Sequence, residues 1–346
     1  MSGRKRVLIV CPGRGSYGRN SLGYLKDRPQ PQLDALRSAR GRPTITELDS
    51  AEQFRSRLHL AGEHASLLTY ACSTADSGDL DPERYEVVGV TGNSLGFYTA
   101  LAVAGALPHD QAAELIETMG ELQIDNIIGG QLLYPIWDED WKPSAEYEAA
   151  IERAIAKVEA TGARAEWSIR LGGTAVLGAD ETGLRILEAE LPKVQRGERS
   201  FPLRLPLHSA FHTSLMAETS AKAKAALAHL EFQAPADVNI PLIDGRGYVH
   251  RPGWADPVAL REYTLGAQIT ETYDFSAALH SALNHCAPDM VVCLGPGNAL
   301  GGPVAQLLVA AGWRGIDSKE KLARAQEADP VLAAFGVPDQ AAILRA

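Results

Sequence analysis

Three short apolar runs, residues 6–12 (RVLIVCP), 85–92 (YEVVGVTG) and 289–297 (DMVVCLGPG), each break into glycines and give way to a stretch rich in Ala and Leu. Runs of Val, Ile and Leu without alternation suit strands covered on both faces, and a glycine turn into a helix is how a βα unit starts. The repetition predicts an α/β fold with a parallel sheet, whose active groups gather at the carboxyl ends of the strands. Three glycine turns on one sheet edge are then expected to converge.

The middle of the chain has another rhythm. Residues 130–137 (GQLLYPIW) read as a strand, 144–162 as a helix, 163–179 (ARAEWSIRLGGTAVLGA) as a strand, 181–194 as a helix and 200–207 (SFPLRLPL) as a strand. This short-spaced β-α-β-α-β pattern predicts a small ferredoxin-like subdomain at 128–206, inserted into a large domain made of 1–127 and 207–346. The tail after Trp313 reads as terminal helices.

The chain has 346 residues and a formal charge of −10. The acidic balance argues against a nucleic-acid partner. No apolar stretch reaches the ~18 residues of a membrane span, and the one near the N-terminus is too short for a secretory signal. The expectation is a soluble, cytoplasmic protein without membrane or nucleic-acid partners. Cys11, Cys72, Cys286 and Cys293 lack metal-like spacing and lie among apolar residues, which predicts buried thiols and no metal site.

Gly92-Asn93-Ser94-Leu95-Gly96 fits G-x-S-x-G between a predicted strand and an apolar helix. A sharp strand-to-helix turn crowds its neighbours, so flanking glycines let the serine project, and the helix N-terminus favours developing negative charge. Ser94 is the candidate nucleophile. Its base is sought in LPLHSAFHTSLM, which offers His208 and His212; a zinc site on this pair lacks the glutamate of H-E-x-x-H, since Ser209 stands there. Residues 13–18 (GRGSYG) match a dinucleotide-binding spacing, but no acidic residue ends a second strand about 20 residues on. A loop lending a backbone N–H to an oxyanion hole is the preferred reading.

These segments together resemble the acyl-carrier-protein S-malonyltransferase family, which includes the acyltransferase domains of fatty-acid and polyketide synthases. In order, CPGRGSYG is similar to the family's PGQGSQ loop, GNSLG to GHSLG, SAFHTSLM to FHxxLM, LGAQITETYDF to QLxxPVxW, and CLGPGNALGG to GPGxxLxG. The resemblance implies an α/β-hydrolase-like large domain carrying a ferredoxin-like insert. It also implies that Ser94 takes an acyl group from acyl-CoA or an acyl carrier protein and passes it to the phosphopantetheine thiol of an acyl carrier protein, with no bound cofactor. His212 is then the general base and acid, the main-chain carbonyl of Gln268 orients it, and the N–H groups of Leu95 and Arg14 form the oxyanion hole. Asn298 is expected near the same cleft.

Departures from the family pattern matter as much. Arg14 replaces a glutamine, and Asn93 replaces the histidine beside the serine. The family arginine that pairs with the malonyl carboxylate falls on Met119, which implies an uncharged, non-malonyl acyl group, because methionine cannot make the charge-assisted pair. Phe211 matches the bulky choice associated with unbranched α-carbons. Lys193, Arg196, Arg199 and Arg204 offer a basic stretch for docking an acidic carrier. An acyl-carrier thioesterase using the same Ser94–His212 pair is the alternative. A non-catalytic docking relative and a generic esterase are further readings.

Overall fold

The computed structural model describes residues 3–124, 126–236 and 240–345. The first apolar run becomes β1 (Lys5–Cys11), in which Val7 to Cys11 are wholly buried. β2 (Tyr85–Gly92) lies parallel on one side of it and β12 (Met290–Cys293) parallel on the other. A strand flanked this way has helices over both faces, which is why its sequence is continuously apolar. The outer members of this sheet are β9 (Leu242–Ile243), β10 (Val249–His250) and β13 (Leu332–Ala334), and only β10 runs antiparallel. The six strands stand in the order β10-β9-β2-β1-β12-β13.

The chain order reverses at β1, with β2 on one side and β12 on the other, so this sheet has its switch point at the three glycine turns. The tail departs from the expectation of helices alone. Between helices Lys319–Ala328 and Pro338–Leu344 the three-residue β13 closes the sheet beside β12. So short a run of Leu and Ala has no periodicity of its own, and β-pairing decides its conformation.

The second sheet is built from β3 (Gly130–Pro135), β4 (Ala165–Leu171), β5 (Thr174–Ala179) and β8 (Leu203–Arg204), with β11 (Tyr273–Asp274) at its edge. Its order is β11-β4-β5-β3-β8. Residues 163–179 are two strands rather than the one expected: Gly172, with φ +58°, and Gly173 turn the chain back, and β4 pairs antiparallel with β5. Helices Ala145–Glu159 and Glu181–Glu190 start on side-chain caps, Ser144 accepting from the Tyr147 N–H and Asp180 from the Gly183 N–H. A hairpin of β6 (Val194–Arg196) and β7 (Arg199–Phe201) precedes β8.

The two sheets are stitched together by β11, which follows the segment bearing Gln268 and pairs parallel with β4 through Tyr273 and Ile169. All four cysteines are free and buried. Among the described residues, no helix is long and apolar enough to cross a membrane.

Candidate active site

Ser94 sits between β2 and the helix Leu95–Val103 with φ +57° and ψ −117°, a conformation a non-glycine residue adopts only when its surroundings enforce it. The flanking glycines are what permit this. A Cβ on Gly92 would come within 2.2 Å of the Gly96 carbonyl carbon, and one on Gly96 within 2.0 Å of the Cys11 oxygen. The elbow therefore packs backbone on backbone against the end of β1, and Ser94 projects from its apex.

His212 reaches it from the chain re-entering the large sheet. Its own φ is +60°, and its N–H donates to the Ile269 carbonyl at 2.8 Å. The imidazole lies between two partners, with Nε2 2.7 Å from Ser94 Oγ and Nδ1 2.6 Å from the Gln268 carbonyl oxygen. A carbonyl only accepts, so Nδ1 carries the proton and Nε2 is free to accept from the serine hydroxyl. Burial lowers the His212 pKa to about 4, and the hydrogen bond to Gln268 opposes that shift. The ring is thus neutral at pH 7, the form a general base requires.

Gln268 follows a π-helical turn, Tyr263–Ala267. Such a turn shifts the phase of the backbone, and here the carbonyls of Gln268 and Ile269 both face His212. The Gln268 side chain is also engaged. Its Nε2 donates to the Ser94 carbonyl at 3.1 Å, and its Oε1 accepts from the Tyr98 hydroxyl at 2.7 Å. Tyr98 was not foreseen, although it lies one helical turn beyond Ser94 and so on the same helix face. Tyr273 packs behind the imidazole, ring centroids 5.3 Å apart, and donates to the Gly92 carbonyl at 2.6 Å.

The glycine turns converge as expected. Gly13, Arg14 and Ser16 after β1, Asn93, Ser94 and Leu95 after β2, and Ala299 and Leu300 after β12 line one cavity of about 580 Å³ between the two sheets. The small sheet supplies an apolar wall of Leu133, Ile169, Leu171 and Val176, extended by Phe201, Leu203 and Leu205. Phe211 and Met119 line the cavity too, Met119 with only 4% of its surface exposed. Among the described residues, the backbone N–H groups of Leu95 and Arg14 have no acceptor in the protein.

Two expectations differ from the structure, the place of Asn298 and the free basic stretch, and the Arg14 side chain adds a cation to the cavity that Met119 lines. Arg14 donates to Gln123 Oε1 at 3.0 Å and to the Leu207 carbonyl at 2.9 Å, and Gln123 in turn donates to the Met119 carbonyl. Burial lowers the guanidinium pKa to about 10, against the pull of the Glu63 charge, so it stays charged at neutral pH, and no carboxylate among the described residues lies within ion-pair distance of it. Asn298 is exposed and turned toward Gly301, outside the cavity that its neighbours line. In the basic stretch, Arg196 is paired with Glu139 and Arg204 with Glu181, since these acidic residues fold within reach of it. Lys193 donates to the Glu188 carbonyl, and Arg199 is exposed at the cavity.

Asn93 is 8% exposed, and its Oδ1 is buried without a hydrogen bond, as is the Ser16 hydroxyl nearby in the same lining.

No family sequence model matches the chain, and no curated protein sequence does. Solved structures do. A malonyl-CoA:ACP transacylase from Synechocystis superposes with a TM-score of 0.72 at 16% identity, covering 98% of this chain and 100% of its own. The corresponding figures for a malonyl-CoA:acyl carrier protein transacylase from Xanthomonas oryzae are 0.71, 19%, 98% and 97%. An acyl carrier protein S-malonyltransferase from Vibrio cholerae gives 0.66, 22%, 88% and 94%. The chain has the malonyl-CoA:ACP transacylase fold. At these identities the transacylase likeness is one of fold, spanning nearly the whole length of both chains.

Proposed function

We propose that this protein is an acyltransferase of the acyl-carrier-protein S-malonyltransferase family, working by a serine acyl-enzyme. The observation that carries the reading is the chain of contacts from Ser94 Oγ through His212 to the Gln268 carbonyl, opening on the cavity between the sheets. Ser94 gives its proton to His212 Nε2 as Oγ attacks the thioester carbon, and the negative charge on the carbonyl oxygen is met by the N–H groups of Leu95 and Arg14. The C–S bond breaks and the leaving thiolate takes the proton from His212. In the second half the phosphopantetheine thiol of a carrier protein gives its proton to His212 and attacks the acyl ester, and Ser94 leaves with that proton. The donor thioester brings its own leaving group, so side chains and backbone supply all the chemistry without a resident cofactor.

The division into an α/β-hydrolase-like domain and a ferredoxin-like insert at about 128–206 fits the β3-α-β4-β5-α-β8 connection of the second sheet. The acyl group is one other than malonyl in the family's usual mode, because Met119 offers no charge on the wall where a carboxylate would be paired. A second reading, a carboxylated acyl group held from the opposite loop, is favoured by the Arg14 guanidinium, whose hydrogen bonds go to the neutral Gln123 Oε1 and Leu207 carbonyl. Carrier docking falls to Lys193 and Arg199, the two basic residues of the stretch without a carboxylate partner among the described residues.

The test is intact mass after brief exposure to malonyl-CoA, acetyl-CoA or a longer acyl thioester, followed by a phosphopantetheinylated carrier protein. An adduct on Ser94 that moves to the carrier establishes transfer. An adduct lost to water at one rate with or without carrier makes the protein a thioesterase.

A further inference from the structure

Gln268 touches the site twice, and the family resemblance accounts only for its main-chain contact. We propose that its side chain, held by Tyr98, orients and polarises the peptide that carries the Leu95 oxyanion donor, so that Tyr98 and Gln268 act as positioning residues for the oxyanion hole. This rests on the acyltransferase reading above.

The Ser94 carbonyl and the Leu95 N–H belong to one peptide group, which is planar and trans, so the two point in opposite directions and turn together. Whatever fixes the carbonyl fixes the donor. The carbonyl accepts from the Phe97 N–H at 2.9 Å, the ordinary first-turn contact of the helix, and from Gln268 Nε2 at 3.1 Å. Ser94 is held at φ +57°, away from the ordinary helical basin, so the peptide after it gains from a second hydrogen bond that opposes rotation.

The amide of Gln268 has one productive orientation. Turned over, it would set Oε1 against the Ser94 oxygen, acceptor against acceptor. The Tyr98 hydroxyl, donating to Oε1 at 2.7 Å from a side chain only 4% exposed, stabilises the productive orientation from the other end. Burial raises the Tyr98 pKa, which keeps the hydroxyl protonated and able to donate. The sequence Tyr98 O–H to Gln268 Oε1, Gln268 Nε2 to Ser94 O, and Leu95 N–H to the substrate oxygen is a chain in which each hydrogen bond strengthens the next in a low-dielectric interior. Through its main-chain carbonyl the same glutamine aligns His212, so one residue sets the geometry of both base and oxyanion donor.

The experiment compares wild type, Gln268→Met, Gln268→Glu, Tyr98→Phe and the Tyr98→Phe/Gln268→Met double variant. Each is assayed for the rate of Ser94 acylation by a thioester and by the matching dithioester, whose C=S accepts hydrogen bonds poorly. Removing an oxyanion donor outright costs about 100- to 1000-fold in rate, so disorienting one should slow thioester acylation about 10- to 100-fold in Gln268→Met. The dithioester should slow far less, so the ratio of the two rates falls by a similar factor. Tyr98→Phe should move the ratio in the same direction by less, Gln268→Glu at least as far as Gln268→Met, and the double variant no further than Gln268→Met. The pH at which His212 titrates out of the acylation profile should stay put.

Equal slowing of both substrates, or a shifted pH profile with an unchanged ratio, overturns the proposal, because that is what loss of His212 alignment or general loosening produces. Should Tyr98→Phe fail to fold, the Gln268 variants decide by the same ratio. If wild type forms no adduct on Ser94 with any thioester, the acyltransferase reading falls and takes the relay with it. If the adduct forms and the ratio does not move, only the relay falls.

Discussion

His212 is oriented by Gln268 through main chain alone: its Nδ1–H donates to the Gln268 carbonyl oxygen at 2.6 Å, where a carboxylate would stand in a Ser-His-Asp triad. A neutral carbonyl selects the same tautomer that a carboxylate does but contributes no charge to stabilise the imidazolium. With burial unopposed by an anion, the His212 pKa settles at about 4.

A pH dependence follows with a definite sign. Acylation of Ser94 should be nearly constant from pH 7 to 5, because His212 stays neutral there, and should fall as pH drops through about 4. Pre-steady-state acylation across pH 4 to 8 checks this. Loss of rate centred near pH 6.5 would mean that the imidazole is far better solvated than its burial indicates.

Stability should depend on the same groups. Burial lowers His64 to about 4 and His208 to about 3, in each case with help from a neighbouring arginine, and it lowers His212 to about 4. In the unfolded chain all three titrate near 6.5. Between those values the unfolded state binds more protons, so stability is full above pH 6.5 and is lost progressively as pH falls toward 4. Denaturant midpoints at pH 7, 6, 5 and 4.5 should decline steadily, and His64→Gln should flatten the decline.

Ser94→Ala should abolish the mass adduct and lower acyl transfer by about three orders of magnitude or more while leaving the fold intact, since the hydroxyl is the only group removed. The check is intact mass together with circular dichroism. An adduct that persists on another residue would move the nucleophile elsewhere.

Much of this site was legible in the sequence because its logic is local. G-x-S-x-G specifies a tight elbow through the space that Gly92 and Gly96 leave, and strands of continuous Val and Ile specify a covered sheet. What was not legible depends on side chains crossing between segments far apart in sequence. The Arg14 guanidinium meets Gln123 and Leu207, 109 and 193 residues away, and no local pattern encodes that reach. The pairing of Arg204 with Glu181 likewise needs the folded geometry of the second sheet. The split of residues 163–179 at Gly172-Gly173 was signalled by the glycine pair, a recognised hairpin mark, and the continuity of the flanking β-rich residues hid it.

Arg37 and Glu117 form an ion pair at 2.8 Å with both side chains wholly buried, tying helix Pro31–Ala39 to helix His109–Glu121, which carries Met119. Removing one partner leaves a charge in the interior. Arg37→Met should therefore cost ~3 kcal/mol, the low end of the range for a broken buried pair, because Arg42 still lies 3.5 Å from Glu117. Denaturant unfolding at pH 7 measures it. A change below about 0.5 kcal/mol, the level of an ordinary surface substitution, would show that Arg42 alone satisfies the carboxylate.

Arg14 and Met119 make opposite statements about the acyl group, and exchanging them tests which governs. Met119 lines one wall of the cavity without a charge, whereas Arg14 brings a guanidinium whose hydrogen-bond acceptors, Gln123 Oε1 and the Leu207 carbonyl, are neutral, with the Glu63 charge near enough to favour its protonated form. A guanidinium hydrogen-bonded to neutral groups can still pair with an incoming carboxylate, and a charge-assisted pair there is worth more than an ordinary hydrogen bond. Arg14→Gln keeps the backbone N–H of the oxyanion loop and deletes only the cation. If Arg14 governs, this change should lower kcat/KM for malonyl and longer carboxyacyl thioesters at least about 10-fold relative to acetyl or octanoyl thioesters, the equivalent of about 1.4 kcal/mol of lost pairing. Met119→Arg in that background should restore part of the loss. If Met119 governs, wild type already prefers uncharged acyl groups and Arg14→Gln changes all substrates alike, which would confine the guanidinium to bracing the loop against Gln123 and Leu207.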